Sequence, residues 1–246
     1  MADKNYLHTA YSKSANGTDR FTTVYPNLNL LKNTKSQSYT STGTTNNNSS
    51  NIYPLDGVVA DILNKPITIT YNYEITNSVG TWSGSIRPTY GLGGTNQSVS
   101  NTNLSGTLKE TLTLTAVSQS SYGILTSGLP AGTKVTITNL KVELGSTATP
   151  WMPSSSEVTT ADWPKYVGTY VDTNPTSSTD PSKYGWDEMK YRVYLDGIAV
   201  AGSKLLSAKV ENLKPDTSYT IQVKQVSGEE ESDFSDSVTF KTNVQK

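Results

Sequence analysis

Apolar and polar residues alternate over long stretches of this chain. Residues 66–76, PITITYNYEIT, place Ile67, Ile69, Tyr71, Tyr73 and Ile75 on one face and Thr68, Thr70, Asn72, Glu74 and Thr76 on the other. That is the period-two signature of a half-buried β-strand. Residues 107–117, TLKETLTLTAV, repeat it with Leu108, Leu112 and Leu114 in phase. Residues 133–144, TKVTITNLKVEL, change parity midway: Val135 and Ile137 are odd, whereas Leu140, Val142 and Leu144 are even. A one-residue slip inside a strand predicts a β-bulge or a break near Thr138–Asn139. Helical spacing is nowhere sustained over three turns, and only a short helical turn near Leu55–Leu63 is expected. Turn residues at Ser78–Gly80, Gly91–Gly94 and Gly128–Gly132 separate the strands. Short strands divided by turns predict an all-β sandwich or barrel.

The pattern also divides the chain. Residues 33–51, NTKSQSYTSTGTTNNNSSN, are polar and of low complexity, which predicts an exposed loop or a loosely paired edge. The character changes near Pro150–Ser156, as at a domain exit, and 172–183 is a second turn-rich stretch. Beyond it lie YRVYLDG (191–197), AKVENL (208–213), SYTIQVKQV (218–226), the charged turn GEEESD (228–233) and SVTFKT (237–242). Tyr191, Val193, Leu213, Tyr219, Ile221, Val223, Val238 and Phe240 are the expected core there.

Composition narrows the class. Hydrophobic residues make up 34% and charged residues 17% of 246, and the formal net charge is -1. The 20 Lys and Arg are scattered, so no basic patch points to nucleic acid. No apolar stretch approaches the roughly 20 residues of a membrane span, and no membrane insertion is expected. The start lacks the apolar segment of a signal peptide, so synthesis in the cytoplasm, or a start after a cleaved segment, is expected. With no cysteine there are no disulfides and no thiol chemistry.

Catalytic signatures are weak. The lone histidine, His8, lies near the N-terminus, and no G-x-S-x-G elbow occurs. A glycosidase needs two facing carboxylates. Glu74 and Glu110 are candidates, though both read more simply as solvated positions. Neither a catalytic residue nor a cofactor or metal site is assigned. Saccharide binding fits better, because 15 Tyr and 4 Trp stand against 3 Phe, and such rings offer an apolar face with a polar tip. The segment TWSGSIRPTYGLGG, 81–94, brings Trp82, Arg87 and Tyr90 together, and Tyr39 and Tyr122 border flexible polar stretches of the same rim. The competing reading is that Trp82, Ile86, Tyr90 and Leu92, which share parity, form a core face.

Two resemblances add to this. Tyr191–Tyr194 with Asp196–Gly197, Leu213-x-Pro215-x-x-x-Tyr219, Gly228 and Ser237–Thr242 resemble a fibronectin type III domain, in which the tyrosine hydroxyl bonds back to the backbone. The opening YPNLNLL (25–31) and the ending KVELGSTATPW (141–151) resemble jelly-roll carbohydrate-binding modules of tail proteins from phages of Gram-positive, lactic-acid bacteria. WMPSSSEVTTADWPKYVGTYVD (151–172) resembles phage minor structural proteins. The resemblance implies an all-β chain: a jelly roll over 27–156, short β segments at 1–26 and 157–189 forming one discontinuous unit, and a fibronectin-like sandwich over 190–246, or from near 160. It implies a non-catalytic adhesion protein of the virion tail, with host cell-wall polysaccharide and other baseplate proteins as partners, in an oligomer. A structural spacer without sugar binding is the alternative. Jelly rolls of this kind often hold a structural calcium, and by resemblance Glu143 or Asp56 would ligate it.

Overall fold

The computed structural model describes residues 4–43, 46–117 and 121–243. Chain contacts divide it into two units, Leu28–Val158 and Met1–Asn27 together with Thr159–Lys246. The fold is all-β, and the helical pieces among the described residues are single 3-10 turns such as Val59–Asp61.

Strand β1 (Tyr6–Ser12) opens the two-segment unit. The continuous unit then contributes β2 (Ser36–Thr40), β3 (Asn47–Pro54), β4 (Pro66–Thr76), β5 (Ser83–Tyr90), β6 (Gln97–Ser100), β7 (Ser105–Thr113), β8 (Ser121–Ser127) and β9 (Lys134–Leu144). The pairs β2–β9, β3–β8, β4–β7 and β5–β6 are antiparallel and nested one inside the next, like a long hairpin. Rolling that hairpin up gives two four-stranded sheets, ordered β2-β9-β4-β7 and β3-β8-β5-β6. This is the jelly-roll arrangement. The alternation of β4 dictates its place: Ile67, Ile69, Tyr71, Tyr73 and Ile75 are all buried in the core between the sheets. The polar run at 33–51 contributes to β2 and β3, one edge strand of each sheet, and an edge strand demands little apolar side chain.

The parity slip in β9 is a bulge. Thr70 pairs with Lys141 and Asn72 with Thr138, so Tyr71 faces both Asn139 and Leu140. Asn139 takes φ 51°, a conformation that asparagine tolerates better than most residues. Val135 and Ile137 before the bulge and Leu140 and Val142 after it therefore all reach the core. On the outer face Lys141 and Glu143 are covered by the chain that leaves the sheet. Lys141 Nζ donates to Pro150 O at 2.7 Å and to Thr149 Oγ1, while the Thr149 amide and hydroxyl donate to Glu143. The chain enters and leaves this unit side by side, since the Asn29 amide donates to Pro153 O at 3.0 Å.

The two-segment unit contains β10 (Tyr166–Asp172), β11 (Gly185–Glu188), β12 (Tyr191–Leu195), β13 (Ile198–Ser203), β14 (Ser218–Ser227), β15 (Glu230–Glu231) and β16 (Val238–Lys241). β1 pairs along its whole length with β10, from Tyr6 opposite Asp172 to Ser12 opposite Tyr166, and β11 completes that sheet. Trp186 of β11 lies flat against Gly17 and Gly168, where any Cβ would collide with the indole. A second sheet, β13-β12-β14-β15 with β16 on β14, carries the fibronectin-like segment. Buried Arg192 donates from Nε to the Tyr25 hydroxyl at 2.9 Å, lies over the Trp163 ring and pairs with Glu231. At the Leu-x-Pro corner the Lys214 amide donates to the Tyr219 hydroxyl at 2.9 Å. Of the core expected here, Val193 is buried, Tyr219, Ile221, Val223 and Phe240 are half-buried, and Val238 is 59% exposed. Residues 204–217, between β13 and β14, form no strand that could build a second sheet beside this one.

Candidate functional site

A half-open depression lies on the outer face of β3-β8-β5-β6. Alternation sets that face. Ile86 of β5, and Tyr122, Ile124 and Thr126 of β8, point into the core, so Ser85, Arg87, Leu125 and Ser127 point out. Register brings Asn48, Leu125 and Arg87 into one row and Ser127, Ser85 and Ser98 into the next. Tyr90 joins them through a bulge. Arg87 is opposite Leu125 and Tyr90 opposite Gly123, so β5 spends one residue more than β8 around Pro88. Such a bulge re-aims the side chains that follow it, and proline is tolerated there. Tyr90 is thereby turned from the inward parity of Trp82 and Ile86 to the Arg87 side, with the guanidinium 5.6 Å from its ring centre.

With Asn46 and Asn96 these residues enclose about 520 Å³. The flanking 91–96 loop is held by its own chemistry: Gly91, Gly93 and Gly94 have positive φ, and Glu110 accepts from the Thr95 amide and hydroxyl. A Cβ on Gly94 would press on the Glu110 carboxylate. Arg87 Nη1 reaches Gly94 O at 3.4 Å, while its buried Nε has no partner among the described residues. The arrangement offers amide and hydroxyl groups, one guanidinium, one phenol ring and one leucine around a half-open hollow. This is the mix that satisfies a ligand with alternating hydroxyls and C–H faces.

The five residues expected at a binding rim thus separate. Arg87 and Tyr90 meet at the depression. Trp82 does not: it is 8% exposed and belongs to the core, because it keeps the inward parity of Ile86. Tyr122 is fully buried opposite Tyr53 in the same core, so it presents nothing to a ligand. Tyr39 is half-buried opposite Val135, on the other sheet. The residues that reasoning missed are Asn46, Asn48, Ser85, Asn96, Leu125 and Ser127. The alternation in SGSIR and ILTS marks Ser85, Leu125 and Ser127 as outward, but nothing local marks the asparagines.

Other candidate chemistry resolves differently. Glu110 pairs with Ile69 and Glu74 with Ser105, which sets the two carboxylates on opposite faces of β4–β7, five residues apart. They cannot flank one glycosidic bond. His8 lies between Ser177 Oγ, 3.1 Å from Nδ1, and Asp172 Oδ1, 2.9 Å from Nε2, stacked on Tyr170. At 4% exposure it clasps the 173–183 loop to β1 and leaves no approach for a substrate. The Trp151 indole donates to Thr34 and lies under Lys35. The calcium expectation does not fit the residues present. Glu143 faces the Lys141 ammonium, and Asp56 accepts from Ser155, the Ser156 amide and Lys32. Burial alone would raise the Asp56 carboxyl, but these bonds outweigh it and hold it well below the usual carboxylate range. Among the described residues no group of three or more acidic or histidine side chains converges.

Comparison with known proteins decides the family. A model described as "Minor structural protein 5-like, C-terminal domain" (BppU-like_C) matches residues 164–222. A chain of the solved tripod (BppUct-A-L) from the baseplate of bacteriophage Tuc2009 is 41% identical, with all of both chains aligned and a TM-score of 0.79. This chain belongs to the family of phage baseplate minor structural proteins. The baseplate protein is therefore a structural component of the virion tail. No curated protein sequence matches it. The family model begins two residues before β10 and stops within β14, so it takes in β10–β13 and none of the jelly roll.

Proposed function

We propose that this baseplate protein is a non-catalytic adhesion component whose jelly roll binds a host cell-surface saccharide through the outer face of β3-β8-β5-β6. The observation that carries this reading is the convergence of Arg87, Tyr90, Asn48 and Asn96 on one hollow of about 520 Å³, with Tyr90 turned into it by a bulge. Single sites of this kind bind weakly, and many copies on one particle convert weak sites into firm attachment through effective concentration. Likeness to a chain of a baseplate tripod supports association with other baseplate proteins and an oligomeric state. No cofactor is required.

A second reading, a structural spacer without sugar binding, is favoured by the burial of Trp82 and Tyr122, two of the rings expected to meet a ligand. Labelling of intact Gram-positive cells by a fluorescent fusion of the chain separates the two. Adhesion requires labelling by the parent chain and its loss in Arg87→Ala and Tyr90→Ala variants that remain folded. Absence of labelling across a broad host panel leaves the spacer.

A further inference from the structure

We infer that the hollow is one end of a longer groove, so that the ligand is an internal stretch of at least two linked sugar units and not a terminal unit alone. This rests on the adhesion reading above and deepens it. A second depression of about 570 Å³ adjoins the first and shares Ser85 and Ser127 with it. Its far side is formed by Ser83, Ser98, Ser100 and Asn103. Register orders these groups: Ser83 is opposite Ser100, and Ser85 lies between Ser98 and Ser127. Arg87, Ser85 and Ser83 follow one another at two-residue steps on β5, so the rows are about 7 Å apart and the groove runs for about 14 Å along the strands. A single pyranose ring fills less than half of that length.

Most hydroxyls in this groove are unspent, Ser100, which bonds to Thr102, being the exception. Serines elsewhere serve the backbone: Ser12, Ser41, Ser203 and Ser232 each bond to a main-chain carbonyl of a turn or loop. By contrast, the hydroxyls of Ser83, Ser85, Ser98 and Ser127 meet no protein partner among the described residues, although they sit together on one face. The two ends also differ in kind. Tyr90, Leu125 and Arg87 offer apolar contact and a charge-assisted donor, whereas the second depression is lined, among the described residues, by no ring and no charge. A hydroxyl rotates to donate or accept, so the serine end suits a unit that turns its own hydroxyls to the sheet. The Tyr90 end suits a unit that presents a C–H face.

The test uses the whole chain titrated with size-fractionated oligosaccharides released from the purified wall polysaccharide of a host whose cells it labels. The expected result is an affinity that rises by about tenfold or more from the single-unit fraction to fractions of two and three units. The Ser83→Ala/Ser98→Ala variant, which changes only the second depression, should lose that gain while binding single units as the parent does. Equal affinity for all lengths, or a serine variant as tight as the parent on the longer fractions, overturns the groove. Retained sensitivity to Arg87→Ala would in that case leave the adhesion reading standing. Failure of the parent to bind any fraction sinks both.

Discussion

Lys141 and Glu143 lie two residues apart on β9, 3.3 Å from each other, and neither side chain is more than 1% exposed. Successive even-spaced positions of a strand share a face, so both meet the exit segment at Thr149 and Pro150 and hold it against the sheet. Removing one member leaves the other charge buried and uncompensated. Lys141→Met should therefore lower stability by about 3–5 kcal/mol, and Lys141→Met/Glu143→Leu should recover much of it. Urea unfolding of the three chains measures both steps. A single variant as stable as the parent would contradict the pairing.

Trp82 and Arg87 test opposite properties of one strand-turn unit. Trp82→Ala removes a core indole and should cost about 3–5 kcal/mol, while any folded fraction still labels cells. Arg87→Ala should change stability by about 0.5 kcal/mol or less and abolish labelling. A ligand role for Trp82 would reverse this pattern.

Buried phenols set the alkaline limit. Burial pushes Tyr25, Tyr53 and Tyr71 above the ordinary tyrosine value of 10.0, and pushes Tyr11 up to about 12. The folded state keeps protons that the unfolded chain releases above pH 10, so this stability is whole below pH 10 and drains away as pH climbs toward 12 and beyond. Lys141 has the opposite sign. Burial lowers it from 10.5 to about 8 in spite of Glu143, so its cost is present below pH 8 and is relieved between 8 and 10.5. Stability measured against pH should hold or rise slightly to about pH 10 and then fall, with tyrosinate absorbance appearing together with unfolding. The Tyr53 hydroxyl is buried without a partner among the described residues, so Tyr53→Phe should leave stability unchanged or raise it by about 1 kcal/mol.

The Tyr219 hydroxyl is the corner of the C-terminal sheet. Tyr219→Phe keeps the ring beside Phe240 and loses one hydrogen bond, for an expected cost of about 0.5–1.5 kcal/mol. Hydrogen exchange at the Lys214 amide should rise with it.

Strand β4 was legible because one face is buried and the other is wet, which forces strict alternation. The slip in β9 was legible for the same reason, since four apolar residues of mixed parity can share a core only across a bulge. Tyr90 was not legible: parity assigns it inward, and the bulge at Pro88 that reverses it depends on the register with β8, a partner more than thirty residues away. Trp82 and Tyr122 mislead in the other direction, because a polar neighbourhood in sequence says little about a side chain that alternates inward. The open face of the C-terminal sheet was also hidden. Tyr219, Ile221 and Phe240 alternate as core positions do, yet all three are only half-buried, and residues 204–217 form no strand that could pack on them.

The continuous unit joins the rest of the chain at two points, after Asn27 and before Thr159, and the strands nearest those joints are each other's partners. Ser12 at the end of β1 lies opposite Tyr166 at the start of β10. A particle tethered through its jelly rolls would load both of these joints at once. The jelly roll then hangs on two covalent connections, and a cut in either one leaves it attached through the other. The same tether built on one linker would put the whole force on a single strand.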